Sequence, residues 1–397
     1  MANFELTQLQ AEAAAMRDEL VTVRRDLHAH PELAFEEVRT AGIVATTLNA
    51  LGYEVQTGVG KTGVVGLMEG GMPGPETLLL RFDMDALPIH EAVDVEFKST
   101  VDGKMHACGH DAHTSIGLGV ARLMAKHRDQ WRGAVKFVFQ PAEEIISGAR
   151  AMIADGVLAN PVPTRALSMH VWSMSETGSV AITDGPMMAA AGTFGIQVTG
   201  RGAHGASPHE GADPILAASH IVAALQSIVS RNVSPLDQGV VTIGSFHGGS
   251  APNIIPDTVE LKGTIRSFKE EVMNTLRTRI TEIATGVALA MGVSARVTFF
   301  EGGAPATVND AAMSDIVRGV ARELVGDARI ESDRRTMGAE DCAYFLQAVP
   351  GAYVFVGAGS ESQGMTEPHH SPRFQINEDA LPLSVALVTG SAIKMLG

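Results

Sequence analysis

Short apolar segments alternate with a helical pattern in the first half of the chain. The segments TLLLRF (77–82), AVKFVFQP (134–141) and ALSMHV (166–171) have the length and composition of buried strands, and the third ends on a histidine. Between the first two, apolar residues recur at helical spacing over residues 112–127. Strands that alternate with helices form a mostly parallel sheet that is covered on both faces. The pattern therefore predicts an α/β fold.

Further elements are predicted on both sides of this region. Apolar stripes of helical period predict helices at 5–27 and 36–50, and the same α/β pattern returns near the C-terminus. The C-terminal elements are expected to be a helix near 311–325, a short helix at 340–347, the strand AYVFVG and a final helix near 378–396.

The order of elements changes after DGPMMAAAGT (184–193), which we interpret as a hinge of small residues. The following segment predicts the ferredoxin-like order strand, helix, strand, strand, helix, strand. These elements are expected at 194–199, 212–230, 239–246, 258–267, 270–290 and 294–300. Because 397 residues exceed one ordinary core, two domains are expected. We predict a catalytic domain at 1–186 and 301–397, with a mostly parallel mixed sheet sandwiched by helices, and an inserted ferredoxin-like α+β domain at 187–300.

Composition narrows the possible partners. Lys and Arg number 30 against 45 Asp and Glu, and a net charge of −15 disfavours a nucleic-acid partner. No uncharged apolar stretch has the length of a membrane span, so we expect no membrane association. The N-terminus lacks the pattern of a signal peptide, and two cysteines cannot build a disulfide framework. We expect a cytoplasmic protein.

Polar residues cluster where the predicted strands end. Asp83 and Asp85 follow the first strand, Glu143 and Glu144 follow the second, and His170 closes the third. Open α/β sheets bind ligands at the carboxyl ends of their strands. Acidic and imidazole groups that converge there repel each other or stay unpaired unless a cation lies among them. We therefore expect a divalent metal site.

The stretch MHACGHDAH (105–113) adds a thiol and three imidazoles just before the predicted helix. Cys108 and His110 are two residues apart, so a loop can turn both side chains to one point. Thiolate, imidazole and carboxylate together suit Zn²⁺, Mn²⁺, Co²⁺ or Ni²⁺. Glu143 and Glu144 are adjacent and face opposite ways, so one can bind metal while the other holds a water as general base. A structural zinc site is the alternative, although such sites usually need four thiolate or imidazole ligands close in sequence.

The chain also carries a series of motifs in the order of a known family. They are RRDLHAHPELAFEE (24–37), DMDALP (83–88), MHACGHDAH (105–113), QPAEE (140–144), MHV (169–171), GRGAHGASPHEGADP (200–214), APNIIPD (251–257), GTIRSF (263–268), GAED (338–341) and HSP (370–372). Together they resemble the hippurate hydrolase and N-acyl-amino-acid amidohydrolase branch of the dinuclear-metal aminoacylase and carboxypeptidase family. The resemblance spans nearly the whole chain.

The resemblance implies two divalent metal ions per subunit, with Cys108 as the bridge between them. The implied ligands are Cys108, His110, Glu144, His170 and His370. His370 is preferred to His369 because it stands directly before Ser-Pro. Glu143 is implied as the general base. Asp83 and Asp85 are expected to orient the metal-binding groups by hydrogen bonds without binding metal themselves. A turn after the strand is an equally good explanation for these two residues.

The resemblance also assigns a role to the inserted domain. That domain is expected to be a dimerisation or lid domain that forms a homodimer or higher homo-oligomer, with His204 reaching across to polarise the scissile carbonyl in the partner's site. Asn253 and Arg266 would hold substrate oxygens, and Arg266 is the natural carboxylate clamp. Alternatively, the apolar residues of the helix at 212–230 only cover that domain's own sheet.

The implied activity is hydrolysis of N-acyl amino acids, with aromatic or aliphatic acyl groups, to a carboxylic acid and a free amino acid. The alternatives on the same metal core are a dipeptidase or exopeptidase and an N-acetyl-diamino-acid deacetylase. A non-catalytic binding protein is a further alternative, which the presence of both Glu143 and Glu144 disfavours. The sequence departs from the family at Cys342, where an aromatic residue usually follows GAED. We interpret Cys342 as a buried thiol, with a wall of the substrate pocket as the alternative.

Overall fold

The chain divides into two compact units. The structure is a computed structural model that describes residues 5–397. Unit 1 comprises the described residues up to Met187 with Thr307–Arg335 and Asp341–Gly397, and unit 2 comprises Met188–Ala306 with Thr336–Glu340. Each unit has its own cluster of buried apolar side chains. The assignment of the inserted segment to dimerisation or to a lid stays a prediction.

The N-terminal part of unit 1 supplies most of its sheet. In chain order, its elements are α1 (Leu6–Ala15), α2 (Arg17–Ala29), α3 (Val38–Ala50), β1 (Glu54–Val59), β2 (Gly63–Glu69), β3 (Met72–Asp83), α4 (His110–Lys126), β4 (Arg132–Gln140), α5 (Gly148–Ala154), β5 (Arg165–Glu176), β6 (Val180–Ala181) and β7 (Gly185–Met188). The prediction of one helix over 5–27 is wrong. Two helices meet at Met16, whose backbone N–H donates to Ala13 three residues earlier, at 3.1 Å, and tightens the turn.

Unit 2 follows the predicted β-α-β-β-α-β order in its main elements. They are β8 (Ala190–Thr199), β9 (Ala203–His204), α6 (Pro214–Leu225), α7 (Ser227–Asn232), β10 (Gly239–Gly248), β11 (Ile254–Ile255), β12 (Thr258–Ser267), α8 (Glu270–Ala290) and β13 (Ser294–Phe300). The sheet has the order β10-β12-β8-β13 with antiparallel neighbours throughout. The predicted helix at 212–230 is divided at Gln226, whose N–H donates to Ala223 rather than one residue further back.

The chain returns to unit 1 for its last elements. They are β14 (Thr307–Asn309), α9 (Ala311–Val325), β15 (Ile330–Glu331), α10 (Ala343–Ala348), β16 (Gly351–Gly359) and α11 (Ala380–Leu396). The carboxylate of Asp310 accepts the backbone N–H groups of Ala312 and Met313, which satisfies two donors at the start of α9. Among residues 5–397, no helix is both long and apolar enough to cross a membrane.

The large sheet of unit 1 is mixed and central. Within the described range its order is β1-β2-β4-β3-β5-β16-β6-β15. The neighbours β4, β3, β5 and β16 run parallel to one another. The last seven residues of β3 are buried, so both faces of that strand are covered. The predicted α/β class with a mostly parallel mixed sheet is confirmed.

One strand boundary differs from the prediction in a way that affects the site. The third predicted strand was expected to end near His170, but β5 continues to Glu176. The cause is β16, which pairs in parallel with β5 beyond that histidine, with Phe355 opposite His170 and Gly357 opposite Trp172. His170 therefore lies inside a paired strand, where its backbone position is fixed on one side by β16.

Candidate metal centre

The parallel strands and the start of α4 converge on one edge of the unit 1 sheet. β3 and β4 end together, because Asp83 lies opposite Gln140. The acidic residues that follow each strand therefore leave the sheet side by side. α4 begins at His110, directly after Gly109, whose φ of 91° lies in the left-handed region that glycine favours. This turn allows Cys108 and His110 to face the same point.

The Cys108 thiol belongs to two groups of candidate ligands. One group combines it with His110 and His170, and the other combines it with Glu144 and His370. Within each group, the candidate ligand atoms lie within 4.8 Å of one another. The Sγ atom of Cys108 lies 3.4 Å from Nε2 of His170. These residues are termed the Cys108 cluster: Cys108, His110, Glu144, His170 and His370.

Backbone carbonyls fix the orientation of two imidazoles in the cluster. Nδ1 of His110 donates to the backbone oxygen of Asp85 at 2.9 Å, and Nδ1 of His170 donates to the backbone oxygen of Val171 at 2.6 Å. Each ring is thereby held as the tautomer that leaves Nε2 free as a ligand atom. The local fold thus presents both Nε2 atoms to the cluster.

The residues present fit a divalent metal. Nε2 of His110 and Oε1 of Glu144 are buried, have no hydrogen-bond partner among residues 5–397, and lie 3.9 Å apart. An unpaired buried polar atom costs about 1–3 kcal/mol, which a bound cation would remove. Burial, followed by the Glu144 carboxylate, raises the pKa of the Cys108 thiol, so a thiolate ligand here needs a nearby cation. Sulfur, nitrogen and oxygen donors together suit borderline divalent ions.

A hydrogen-bonded layer built on Asp83 lies behind the cluster. Its carboxylate bonds Nδ1 of His113 at 2.6 Å and Nη1 of Arg81 at 2.7 Å. Burial alone would raise the pKa of Asp83, but His110, Arg81 and His113 outweigh it and hold the pKa well below its usual range. Nε2 of His113 in turn accepts the backbone N–H of Val171 at 2.9 Å, next to His170. An ionised Asp83 therefore fixes the backbone that carries His170.

Asp85 holds the segment that carries the paired glutamates. Its two carboxylate oxygens accept the backbone N–H groups of Glu143 and Glu144, at 2.9 and 3.0 Å. The side chain of Glu143 is buried, and its carboxylate forms a group with His110 and Glu144 in which the atoms lie within 4.8 Å of one another. Glu143 is thus beside the cluster without belonging to the two groups that share Cys108.

Both histidines of the HHSP segment lie close to Cys108. Nε2 of His370 is 3.3 Å from Oε2 of Glu144, and hydrogen bonds to Cys108 and Glu144 raise its pKa to about 10. Nδ1 of His369 is 3.8 Å from the Cys108 sulfur, and its ring packs on Trp172 with 4.7 Å between ring centroids. Burial lowers the pKa of His369 to about 3. His370, not His369, faces the Glu144 carboxylate.

The remaining candidate residues lie in unit 2. His204 is exposed in β9, where it pairs with Ile254, and its Nδ1 accepts the N–H of Ala206 at 3.0 Å. Asn253 is a close neighbour, because its backbone oxygen accepts the N–H of Gly205 at 2.8 Å. Arg266 lies in β12, in the larger sheet of that unit, and burial lowers the pKa of its guanidinium.

Sequence reasoning assigned no role to three residues that support the cluster. His113 stands in the MHACGHDAH motif, Arg81 in the first apolar strand, and Asp341 in GAED. Asp341 accepts from Nε2 of Gln140 at 2.6 Å and from the backbone N–H of Ala149 at 3.0 Å. Of these, Arg81 could have been found from the sequence, because an arginine inside an apolar strand is buried and a buried guanidinium requires an acidic partner. Cys342 is buried, as interpreted.

Comparison with known proteins places this chain in a family. The family model described as Peptidase family M20/M25/M40 matches residues 79–394. The chain belongs to this family. IAA-amino acid hydrolase ILR1-like 4 of Arabidopsis thaliana is 40% identical over 382 residues, which cover 96% of this chain and 86% of that protein. Thermostable carboxypeptidase 2 of Saccharolobus solfataricus is 40% identical over 390 residues, 98% of each chain.

A solved structure of the same family connects the fold to metal binding. The YXEP protein of Bacillus subtilis, described as a dinuclear metal binding peptidase from the M20 family, matches with a TM-score of 0.84 and 33% identity over 96% of this chain and 99% of that one. The resemblance found in the motifs is confirmed by these matches. This member of the M20/M25/M40 family is a metallo-amidohydrolase.

Proposed function

We propose that the protein hydrolyses the amide bond of N-acyl amino acids, releasing a carboxylic acid and a free amino acid. The observation that carries the proposal is the Cys108 cluster with the buried Glu143 carboxylate beside it. The relative named an IAA-amino acid hydrolase supports an acylated amino acid as the substrate class. Hippurate-like substrates, which join an aromatic acyl group to an amino acid, are the first class to test.

The residues of the Cys108 cluster would hold two divalent ions per subunit, and Cys108 belongs to both groups of candidate ligands. Mn²⁺, Zn²⁺, Co²⁺ and Ni²⁺ all suit this donor set. When bound, the ions lower the pKa of a coordinated water and polarise the substrate carbonyl. The protein supplies the tautomers of His110 and His170 through the carbonyls of Asp85 and Val171.

Glu143 is the general base of the proposed reaction. It accepts a proton from the attacking water as the new bond to the acyl carbon forms. It then gives that proton to the leaving nitrogen as the C–N bond breaks, so the amino acid departs as a neutral amine. Asp85 holds the backbone of Glu143 in place. The side-chain carboxylate of Glu143 is the group that moves the proton.

Residues of unit 2 complete the proposal. We propose a homodimer in which His204 acts on the scissile carbonyl in the partner subunit's site and stabilises the developing oxyanion. The exposed position of His204 on β9 supports a role outside its own sheet. Arg266 binds the α-carboxylate of the substrate, and Asn253 binds a further substrate oxygen.

The test is a substrate panel measured by release of free amine. N-benzoylglycine, several N-acetyl amino acids and a set of dipeptides are incubated with the Mn²⁺-supplemented protein and with its Glu143→Gln variant. The proposal expects turnover of N-acyl amino acids that Glu143→Gln loses. Turnover of none of the N-acyl compounds, by a protein that contains metal, would contradict it.

An exopeptidase is the second candidate, because one relative of equal identity is named a carboxypeptidase. Both activities use the same metal cluster and differ in what the pocket accepts beside the scissile carbonyl. The panel separates them. A kcat/KM that is at least about tenfold higher for dipeptides than for N-acyl amino acids favours the exopeptidase, since a tenfold ratio is 1.4 kcal/mol of discrimination.

A further inference from the structure

The segment between β4 and α5 has an unusual backbone. We term it the EE loop: residues 141–147, which carry Glu143 and Glu144. Ala142 and Ile146 both have a φ of 53°, in the left-handed region that residues with a Cβ seldom occupy. Such conformations persist where the surrounding structure holds them in place. The contacts of the EE loop therefore identify what fixes the general base.

Most of these contacts are local. The oxygen of Ala142 accepts the N–H groups of Ser147 and Gly148, at 3.2 and 3.1 Å, and the oxygen of Glu143 accepts the N–H of Ile146 at 2.7 Å. These bonds close the loop upon itself. The backbone N–H of Ala142, the residue directly before Glu143, has no hydrogen-bond acceptor within the loop and therefore needs one from another part of the chain.

Glu37, directly before α3, supplies that partner. Its Oε1 accepts the N–H of Ala142 at 2.9 Å, although the two residues are 105 positions apart. The same oxygen accepts the N–H of Phe35 at 2.9 Å, and Oε2 bonds the hydroxyl of Thr62. The Glu37 side chain is fully buried, so these contacts define its position. Oε1 accepts from both backbone groups whether Glu37 is ionised or protonated.

We propose that Glu37 is a positioning residue for the base Glu143. By bonding the N–H of Ala142 it holds the left-handed turn directly before Glu143, and this turn sets the direction in which the Glu143 carboxylate points. The inference rests on the proposed function, in which Glu143 moves the proton. Asp85 holds the following two N–H groups, so Glu37 and Asp85 together fix three consecutive peptide groups of the EE loop.

The kinetic test compares Glu37→Ala with Glu37→Gln. The glutamine keeps an Oε1 acceptor for Ala142, so kcat stays within about threefold of the parent, whereas Glu37→Ala lowers kcat roughly 100-fold because a small misplacement of a reacting group has that effect. KM and bound metal stay near the parent values in both, because no ligand of the Cys108 cluster is changed. Adding Ala142→Gly to Glu37→Ala recovers roughly fivefold in kcat, since glycine adopts the left-handed turn without a partner.

Equal kcat for Glu37→Ala and the parent overturns the inference, and so does an equal loss in Glu37→Gln. If Glu37→Ala does not fold, Glu37→Asp replaces it with the same expectation, because its shorter carboxylate cannot reach both Phe35 and Ala142. If the parent hydrolyses no N-acyl amino acid, the proposed function fails instead. Hydrogen exchange of peptides covering 140–148 in the metal-free protein then decides the inference. Faster exchange in the alanine variant than in Glu37→Gln supports it, and equal exchange rejects it.

Discussion

The candidate residues of the two units differ in how they are held. In unit 1, Cys108, His110 and His170 are 9%, 1% and 5% exposed, and each imidazole is oriented by a backbone carbonyl. In unit 2, His204 is exposed in β9 and Asn253 is exposed directly before β11, the strand that pairs with β9. The first set is preorganised by the fold, whereas the second is available for a substrate or another subunit.

This difference separates the expected effects of mutations. Changes in the Cys108 cluster are expected to remove metal, because the fold already positions the proposed ligand atoms. Changes in unit 2 leave the metal content intact and alter kcat or KM. Glu143 is the informative exception in unit 1, because it lies beside the cluster but is proposed to move protons only.

The largest effect is expected for Glu143→Gln. The amide is nearly isosteric but cannot accept the proton of the attacking water, so kcat falls roughly 10³- to 10⁴-fold, at the upper end of general acid–base effects. Bound metal, measured by elemental analysis, stays at the parent level. A variant with near-parental kcat would reject the base, and loss of metal would make Glu143 a ligand instead.

The next effect concerns the thiol, with the second cysteine as a matched control. Both cysteines are buried, so the serine substitutions perturb packing to a similar extent. Loss of a residue that only hydrogen-bonds to a metal ligand weakens metal binding roughly 10- to 100-fold. Cys108→Ser removes a proposed ligand itself, so we expect it to weaken metal binding by more than this. Cys342→Ser retains its metal. Titration of the apoproteins with Mn²⁺ or Zn²⁺ measures both, and equal affinities would show that Cys108 is no ligand.

In unit 2, His204→Ala is expected to lower kcat without changing the metal content. The loss is about 10²- to 10³-fold, the range seen when one donor to a developing oxyanion is removed. His209→Ala removes a second exposed histidine from the same unit and serves as the control with parental kinetics. Loss of metal in His204→Ala, or equal kinetics in the two variants, would contradict the proposal that His204 acts on the substrate and not on metal binding.

The smallest effect is expected for Arg266→Lys. Lysine keeps the charge but loses the bidentate geometry that suits a carboxylate, so KM rises roughly tenfold, which corresponds to about 1.4 kcal/mol. kcat stays close to the parent value. The measurement compares N-acetyl amino acids with their C-terminal amides. An equal rise in KM for acid and amide would remove Arg266 from carboxylate recognition.

The sequence was sufficient to predict helices and strands that show a regular repeat of apolar residues. The helix at 270–290 was predicted with the same bounds that the structure shows, because its stripe of buried apolar residues lies within this one element. The break at Met16 was missed, because the apolar stripe continues across α1 and α2. The length of β5 was also missed, since its extension depends on pairing with β16, which lies far along the chain.

The same limit applies to the candidate site. Motif spacing was sufficient to nominate Cys108, His110 and the glutamate pair, because their neighbours in sequence are also neighbours in space. It could not find Glu37 against Ala142, because a hydrogen bond between groups 105 positions apart leaves no periodic pattern in the sequence. This contact requires the folded backbone.

We propose that amide hydrolysis depends on divalent ions held by the Cys108 cluster. The most direct test strips the protein with a chelator and measures bound metal and N-benzoylglycine or N-acetyl amino acid turnover together, before and after Mn²⁺ or Zn²⁺ is added. Activity is expected to fall with the metal content and to return when about two ions per chain are bound, since Cys108 belongs to two candidate ligand groups that would each hold one ion. Undiminished turnover by the metal-free protein would contradict it.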